Sequence, residues 1–149
     1  MNNTILLVED NSSDEKLTLL ALRDCGVANE VVVTRDGAAA LDYLFATGAS
    51  AGRDVTVLPR LMLLDLKLPK IDGLEVLRRV RADPRTAILP VVILTSSKED
   101  EDIVRGYSLG ANAYIRKPVD FAAFSAAAQA LGLFWLLWNE PPPGPPSGS

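Results

Sequence analysis

The segment Leu61-Met62-Leu63-Leu64-Asp65-Leu66-Lys67-Leu68-Pro69 decides the fold of this 149-residue chain. Four apolar residues run without alternation before an acid ends the run. That is the pattern of a strand buried on both faces, as in a parallel sheet sandwiched between helices. Working outward, Ile5-Leu6-Leu7-Val8 and Val91-Val92-Ile93-Leu94 repeat it. Together with two further runs they give five expected strands: Thr4 to Val8, Glu30 to Thr34, Leu61 to Leu64, Val91 to Thr95 and Ala113 to Arg116. Helical segments separate them, so the sheet should be parallel, with the first, third and fourth strands at its centre.

Helix starts follow the strands closely. Ser12 with Glu15, Asp72 with Glu75 and Ser97 with Asp100 have capping-box-like spacing. Core faces at helical spacing come from Leu17, Leu20 and Cys25 with Leu19 and Leu22, then Ala40, Leu41, Leu44 and Phe45, then Leu74, Leu77 and Val80. Gly48 to Val57 is expected as an extended surface loop. Five of the 10 prolines fall between Pro141 and Pro146, ahead of Ser147-Gly148-Ser149. One folded domain is therefore expected over 1–138 and a core-less tail over 139–149.

Composition narrows the function classes. The chain is 48% hydrophobic and 23% charged, which fits one soluble globular domain and excludes collagen, wholesale disorder and a multi-span membrane protein. A net charge of -4 lacks the basic surplus that neutralises a phosphate backbone, so no direct nucleic-acid contact is expected. Histidine is absent, which removes His-dependent triads and the commonest zinc ligand. The chemistry falls to carboxylates, hydroxyls and lysine. Cys25 stands alone, and Met1-Asn2-Asn3-Thr4 opens neither basic nor apolar, so a reducing cytoplasm is expected. The uncharged run from Phe121 to Trp138 approaches the length of a membrane span, but Ser125, Gln129 and its alanines dilute it and no Lys or Arg flanks it. It is not expected to enter a membrane.

In an open parallel sheet the ligand site lies beyond the carboxyl ends of the strands. The first expected strand ends in Glu9-Asp10, the third in Asp65, the fourth in Thr95-Ser96, and the fifth runs into Lys117-Pro118. Singly, each has a plain explanation: Asp10 as a helix cap, Asp65 as a turn former, Thr95 bonded to a carbonyl, Lys117 as a solvated charge. Together they put three carboxylates, a hydroxyl and a lysine on one sheet edge. Two carboxylates 4 Å apart repel by about 4 kcal/mol at an effective dielectric near 20. A cation must sit among them, and oxygen ligands beside a phosphoryl group suit magnesium. Helix N-termini on the same edge favour an anion.

These residues resemble the receiver domain of bacterial two-component response regulators. The matching pieces are Leu6-Leu7-Val8-Glu9-Asp10-Asn11, Leu63 to Pro69 with Asp72-Gly73, Ile93-Leu94-Thr95-Ser96, and Gly110 to Pro118. The resemblance implies a flavodoxin-like, doubly wound α/β fold, with a five-stranded parallel sheet in the order 2-1-3-4-5 and five helices. It implies that Asp65 takes a phosphoryl group from a phosphohistidine of a sensor histidine kinase. Asp10 would ligate Mg2+, Glu9 would do so directly or through water, and the backbone carbonyl of Lys67 would add a ligand. Lys117 would bond a phosphoryl oxygen, Thr95 would turn its hydroxyl to the phosphoryl group, and Tyr114 would swing inward. No effector domain follows, so a stand-alone regulator acting through protein contacts is expected. The loop before the third strand and Leu131 to Pro143 resemble regulators paired with bacterial phytochromes. Phe134, Trp135, Leu137 and Trp138 crowd both sides of a helix end, so a homodimer through the fifth helix and its C-terminal extension is expected. The competing readings are a receiver-shaped binding module that is never phosphorylated and a magnesium phosphatase. The phosphatase would want Asp-x-Asp where the chain has Asp65-Leu66-Lys67.

Overall fold

The computed structural model describes residues 4–96 and 110–130. Chain order runs β1 (Thr4–Val8), α1 (Ser12–Asp24), β2 (Glu30–Thr34), α2 (Gly37–Phe45), a 3-10 turn at Gly48–Ser50, β3 (Leu61–Asp65), α3 (Gly73–Ala82), β4 (Val91–Thr95), β5 (Ala113–Arg116) and α4 (Phe121–Ala130). Four α-helices thus stand among the described residues, and α4 is the segment expected as the fifth. The helix start expected at Ser97 and Asp100 and everything from Leu131 onward lie outside them.

All strand pairs are parallel, in the order β2-β1-β3-β4-β5. Every residue of β1, β3 and β4 is buried. The register explains the unbroken apolar runs. Leu6, Val8, Met62, Leu64, Val91 and Ile93 pack with Ala40, Leu41 and Leu44 of α2 and Val76, Leu77 and Val80 of α3. Ile5, Leu7, Leu61, Leu63, Val92 and Leu94 pack on the other face with Ala21 and Leu22 of α1 and Phe124 and Ala128 of α4. Each fully buried Leu or Ile contributes about 1.5–3 kcal/mol relative to leaving it exposed.

The expected inner face of α1 requires correction. Leu17 and Leu20 are 42% and 43% exposed, and the buried side chains are Thr18, Ala21 and Leu22. With the half-buried Cys25 these form a stripe at i, i+3, i+4 and i+7, in which small residues let α1 lie against the sheet and α4. The helix start also shifts by one residue. Asn11 is the N-cap, and its side chain accepts from the Asp14 N–H at 3.0 Å. Asp72 caps α3 as expected, accepting from Glu75 N–H at 2.9 Å.

The segment between α2 and β3 is held rather than loose. The Arg53 guanidinium lies 4.1 Å from the Tyr43 ring centroid and donates to the Tyr43 and Val57 carbonyls. At the opposite end of the sheet from the acids, Arg81 joins α3 to the approaches of β4 and β5 by donating to Ala87, Leu89 and Gly110 carbonyls and to Asn112 Oδ1. The turn after β3 folds tightly back. A Cβ on Gly73 would lie 2.3 Å from the Asp65 carbonyl oxygen, and one on Gly37 would lie 1.8 Å from that of Ile71. Only glycine permits these two approaches.

Candidate functional site

The carboxyl ends of β1, β3, β4 and β5 converge because their register is parallel and in step, with Val8 beside Leu64, Asp65 beside Leu94 and Thr95 beside Arg116. Glu9 extends β1 by donating its N–H to the Thr34 carbonyl at 3.0 Å, which fixes its fully buried side chain at the rim. Asp10, the next residue, is exposed. Asp65 closes β3 at 6% exposure, and its Oδ1 accepts from the Lys67 N–H at 3.3 Å. Carboxylate oxygens of Glu9, Asp10 and Asp65 all lie within 4.8 Å of one another.

Lys117 reaches two of these acids, Glu9 and Asp65. Its backbone N–H donates to the Thr95 carbonyl at 2.6 Å, continuing the β4–β5 ladder. Its ammonium is 2.9 Å from Asp65 Oδ2, 2.8 Å from Glu9 Oε1 and 3.2 Å from Asp14 Oδ2. The Glu9 contact lies off the hydrogen-bonding line and is one of charge. Glu9 Oε2 accepts instead from the Asn11 N–H at 3.3 Å.

Electrostatics follow from this crowding. Burial first, then the hydrogen bond and charge of Asp65, push the Glu9 carboxyl up to about 7, against the opposing pull of Lys117. Burial pulls Lys117 downward, but Glu9 and Asp65 together outweigh it and hold the ammonium above the ordinary lysine range. Partial neutralisation by one lysine leaves an oxygen-rich cluster that a hard divalent cation fits. A hollow of about 490 Å³ lined by Asp10, Lys67, Leu68 and Asp72 opens beside the acids, so Lys67 stands next to the acid that faces solvent. Another hollow, about 560 Å³ between α2 and the end of α3, contains none of the site residues. The site is a charged rim rather than an enclosed cleft.

Thr95 is fully buried, and its Oγ1 has no hydrogen-bond partner among the described residues. A buried hydroxyl left in that state costs about 1–3 kcal/mol. Tyr114 is half-buried on β5 beside Ile93 and packs against the same core as α2 and α3. Arg116 points outward, as a solvated charge should. The structure therefore brings Glu9, Asp10, Asp65 and Lys117 together, with Thr95 on the adjoining strand end and Tyr114 two rows behind it. It also adds Asp14, whose place is hidden in the sequence because the Ser12/Glu15 spacing puts the start of α1 one residue late. With Asn11 recognised as the cap, Asp14 falls in the first helical turn, facing the strand ends.

Residues 5–129 match the response regulator receiver domain, and this chain belongs to that family. Among solved structures it is similar to the bacteriophytochrome response regulator RtBRR, at 53% identity and a TM-score of 0.86, covering 97% of this chain and 86% of that one. It is 36% identical to the response regulator Rcp1 of Synechocystis sp., over 89% of this chain and 88% of Rcp1. A structure of Rcp1 in its Mn2+-bound form superposes with a TM-score of 0.73 at 34% identity, covering 95% of this chain and all of that one. The "Probable methanogenesis regulatory protein FilR2" of Methanothrix harundinacea is 43% identical over 93% of this chain and 86% of its own length. The expected doubly wound sheet in the order 2-1-3-4-5 is the one observed.

Proposed function

We propose that this response regulator accepts a phosphoryl group on Asp65 from a phosphohistidine of a sensor histidine kinase and passes the signal on through altered protein contacts. The observation that carries this reading is the setting of Asp65. It is a nearly buried carboxylate with one oxygen on the Lys67 N–H, the other on Lys117, and two further acids within 4.8 Å. An Asp65 oxygen attacks phosphorus, the O–P bond forms as the P–N bond breaks, and the imidazole nitrogen keeps the electron pair. The donor histidine belongs to the kinase, which accords with a chain that has none.

Glu9, Asp10, Asp65 and the backbone carbonyl of Lys67 are the groups that would hold Mg2+, which supplies charge neutralisation between carboxylates and phosphoryl oxygens. The Mn2+-bound form of the similar Rcp1 supports a divalent cation at these acids. Lys117 holds a phosphoryl oxygen, and positioning with charge compensation provides most of the rate. Thr95 turns its partnerless hydroxyl to the phosphoryl group, and Tyr114 moves inward as that strand end shifts. The kinase is a bacterial phytochrome, a reading supported by the likeness to RtBRR. The uncharged run from Phe121 to Trp138 supports a homodimer through α4 and the sequence that follows it. Among the described residues no helix is long and apolar enough to cross a membrane. With the lone Cys25, that supports action in the cytoplasm.

The test is Asp65→Asn. It removes the anionic nucleophile and should abolish acid-stable, base-labile phosphate incorporation from kinase or small phosphodonor while the fold is kept. Labelling at the wild-type rate would refute the assignment.

A further inference from the structure

Among the described residues, Asp14 is the one carboxylate touching Lys117 that lies outside the group able to share a cation. Its backbone is fixed at the start of α1, because its N–H is bonded to the Asn11 side chain at 3.0 Å. An acid in that first-turn position ordinarily reaches back to the N–H of the capping residue. Here the Asn11 N–H is already taken by Glu9 Oε2 at 3.3 Å. The Asp14 carboxylate is thereby released from its local use and spans 103 residues of sequence to meet the Lys117 ammonium at 3.2 Å.

The consequence bears on Lys117. Glu9 and Asp65 draw its ammonium into the acid cluster, where it occupies oxygens that a divalent cation needs. Asp14, whose side chain is 30% exposed, pulls it from the outer side. The ammonium donates to Asp14 and Asp65 and meets Glu9 through charge alone. When the phosphoryl donor arrives, a lysine tethered on its outer side stays beside the incoming oxygens instead of collapsing inward. We infer that Asp14 is a positioning residue, an α1 tether that holds the Lys117 ammonium at the mouth of the site for the incoming phosphoryl group. This rests on the phosphoacceptor role of Asp65 proposed above.

The experiment is a double-mutant cycle in the full chain, with phosphorylation by acetyl phosphate in saturating Mg2+ as the readout. Asp14→Asn keeps size and the helix position but removes the charge. It should slow labelling by about twofold to fivefold, the scale of a partly exposed ion pair. In a Lys117→Ala background the same substitution should change nothing further, since its effect passes through the lysine. A merely structural role would instead lower the rate by the same factor in both backgrounds. A labelling rate at or above wild type in Asp14→Asn, or an equal loss in both backgrounds, would overturn the inference. Should the variants differ in folded fraction, the Lys117 ammonium resonance with metal chelated provides a readout that needs no phosphorylation. It should be visible in wild type and broadened by fast exchange in Asp14→Asn, and an unchanged resonance overturns the tether. Failure of wild type to label at Asp65 would instead strike the phosphoacceptor reading, which this resonance does not involve.

Discussion

Lys117 and Thr95 are joined through the main chain: the lysine N–H donates to the threonine carbonyl at 2.6 Å. The residue that reaches the acids and the residue with the partnerless hydroxyl therefore sit on one hydrogen-bonded pair of strand ends. A movement of β4 at Thr95 carries the base of the Lys117 side chain with it.

That pairing makes Thr95→Val informative. The methyl replaces a buried hydroxyl without a partner among the described residues, so the unphosphorylated protein should gain about 1 kcal/mol of stability, seen as a higher urea midpoint at constant slope. The same variant should label at Asp65 yet lose the chemical-shift changes that phosphorylation produces in β5. A lower midpoint would show that the hydroxyl has a partner in solution.

Metal titration separates the acids from the lysine. Asp10→Ala should bind Mg2+ at least about tenfold more weakly, since even outer-sphere losses reach that size. Lys117→Ala should bind at least as tightly as wild type, because the ammonium contacts two of the three acids a cation would use. Chemical shifts followed against magnesium concentration check both, and weaker binding by Lys117→Ala would contradict the competition.

The pH dependence has a definite sign. Glu9 titrates near 7 when folded, against an ordinary 4.5. Between those values the metal-free folded chain holds a proton the unfolded chain has released, so stability falls as pH rises through the window and levels off above it. Lys117 contributes nothing there, since its raised pKa matters only on the alkaline side. Cation binding needs the ionised carboxyl, so affinity at pH 6 should be about tenfold below its plateau. Denaturant melts from pH 5 to 8, with and without Mg2+, test this. Glu9→Gln should remove the slope.

Association is tested by sedimentation at tens of micromolar. Wild type should run as a dimer and Trp135→Glu with Trp138→Glu as a monomer, because charges replace two aromatic side chains in the uncharged run. A monomeric wild type, with and without phosphodonor, would end the dimer proposal.

The strands and the acid cluster were legible in the sequence because both depend on local rules. Buried parallel strands write uninterrupted apolar runs, and acids sit where those runs stop, as at Glu9 and Asp65. The buried face of α1 was not, because leucines outweigh Thr18 and Ala21 in any hydrophobic count, whereas close packing selects the small residues. Asp14 was hidden for a related reason. Its use depends on which neighbour caps the helix and on Glu9 taking the capping residue's N–H, a competition settled only in three dimensions. The grip of Arg53 on Tyr43 and the Val57 carbonyl likewise joins residues whose spacing matches no repeat.

The contact of Gly37 with Ile71 has a mechanical meaning. The start of α2 meets the turn beyond β3 with no side chain between them, so there is no rotamer whose rearrangement could absorb a displacement. Close-packed groups in that relation behave as a hard stop. Any advance of the turn that carries Lys67 and Pro69 toward α2 has to be taken up by the helix as a whole, which makes α2 a pushrod resting on the same core as Tyr114.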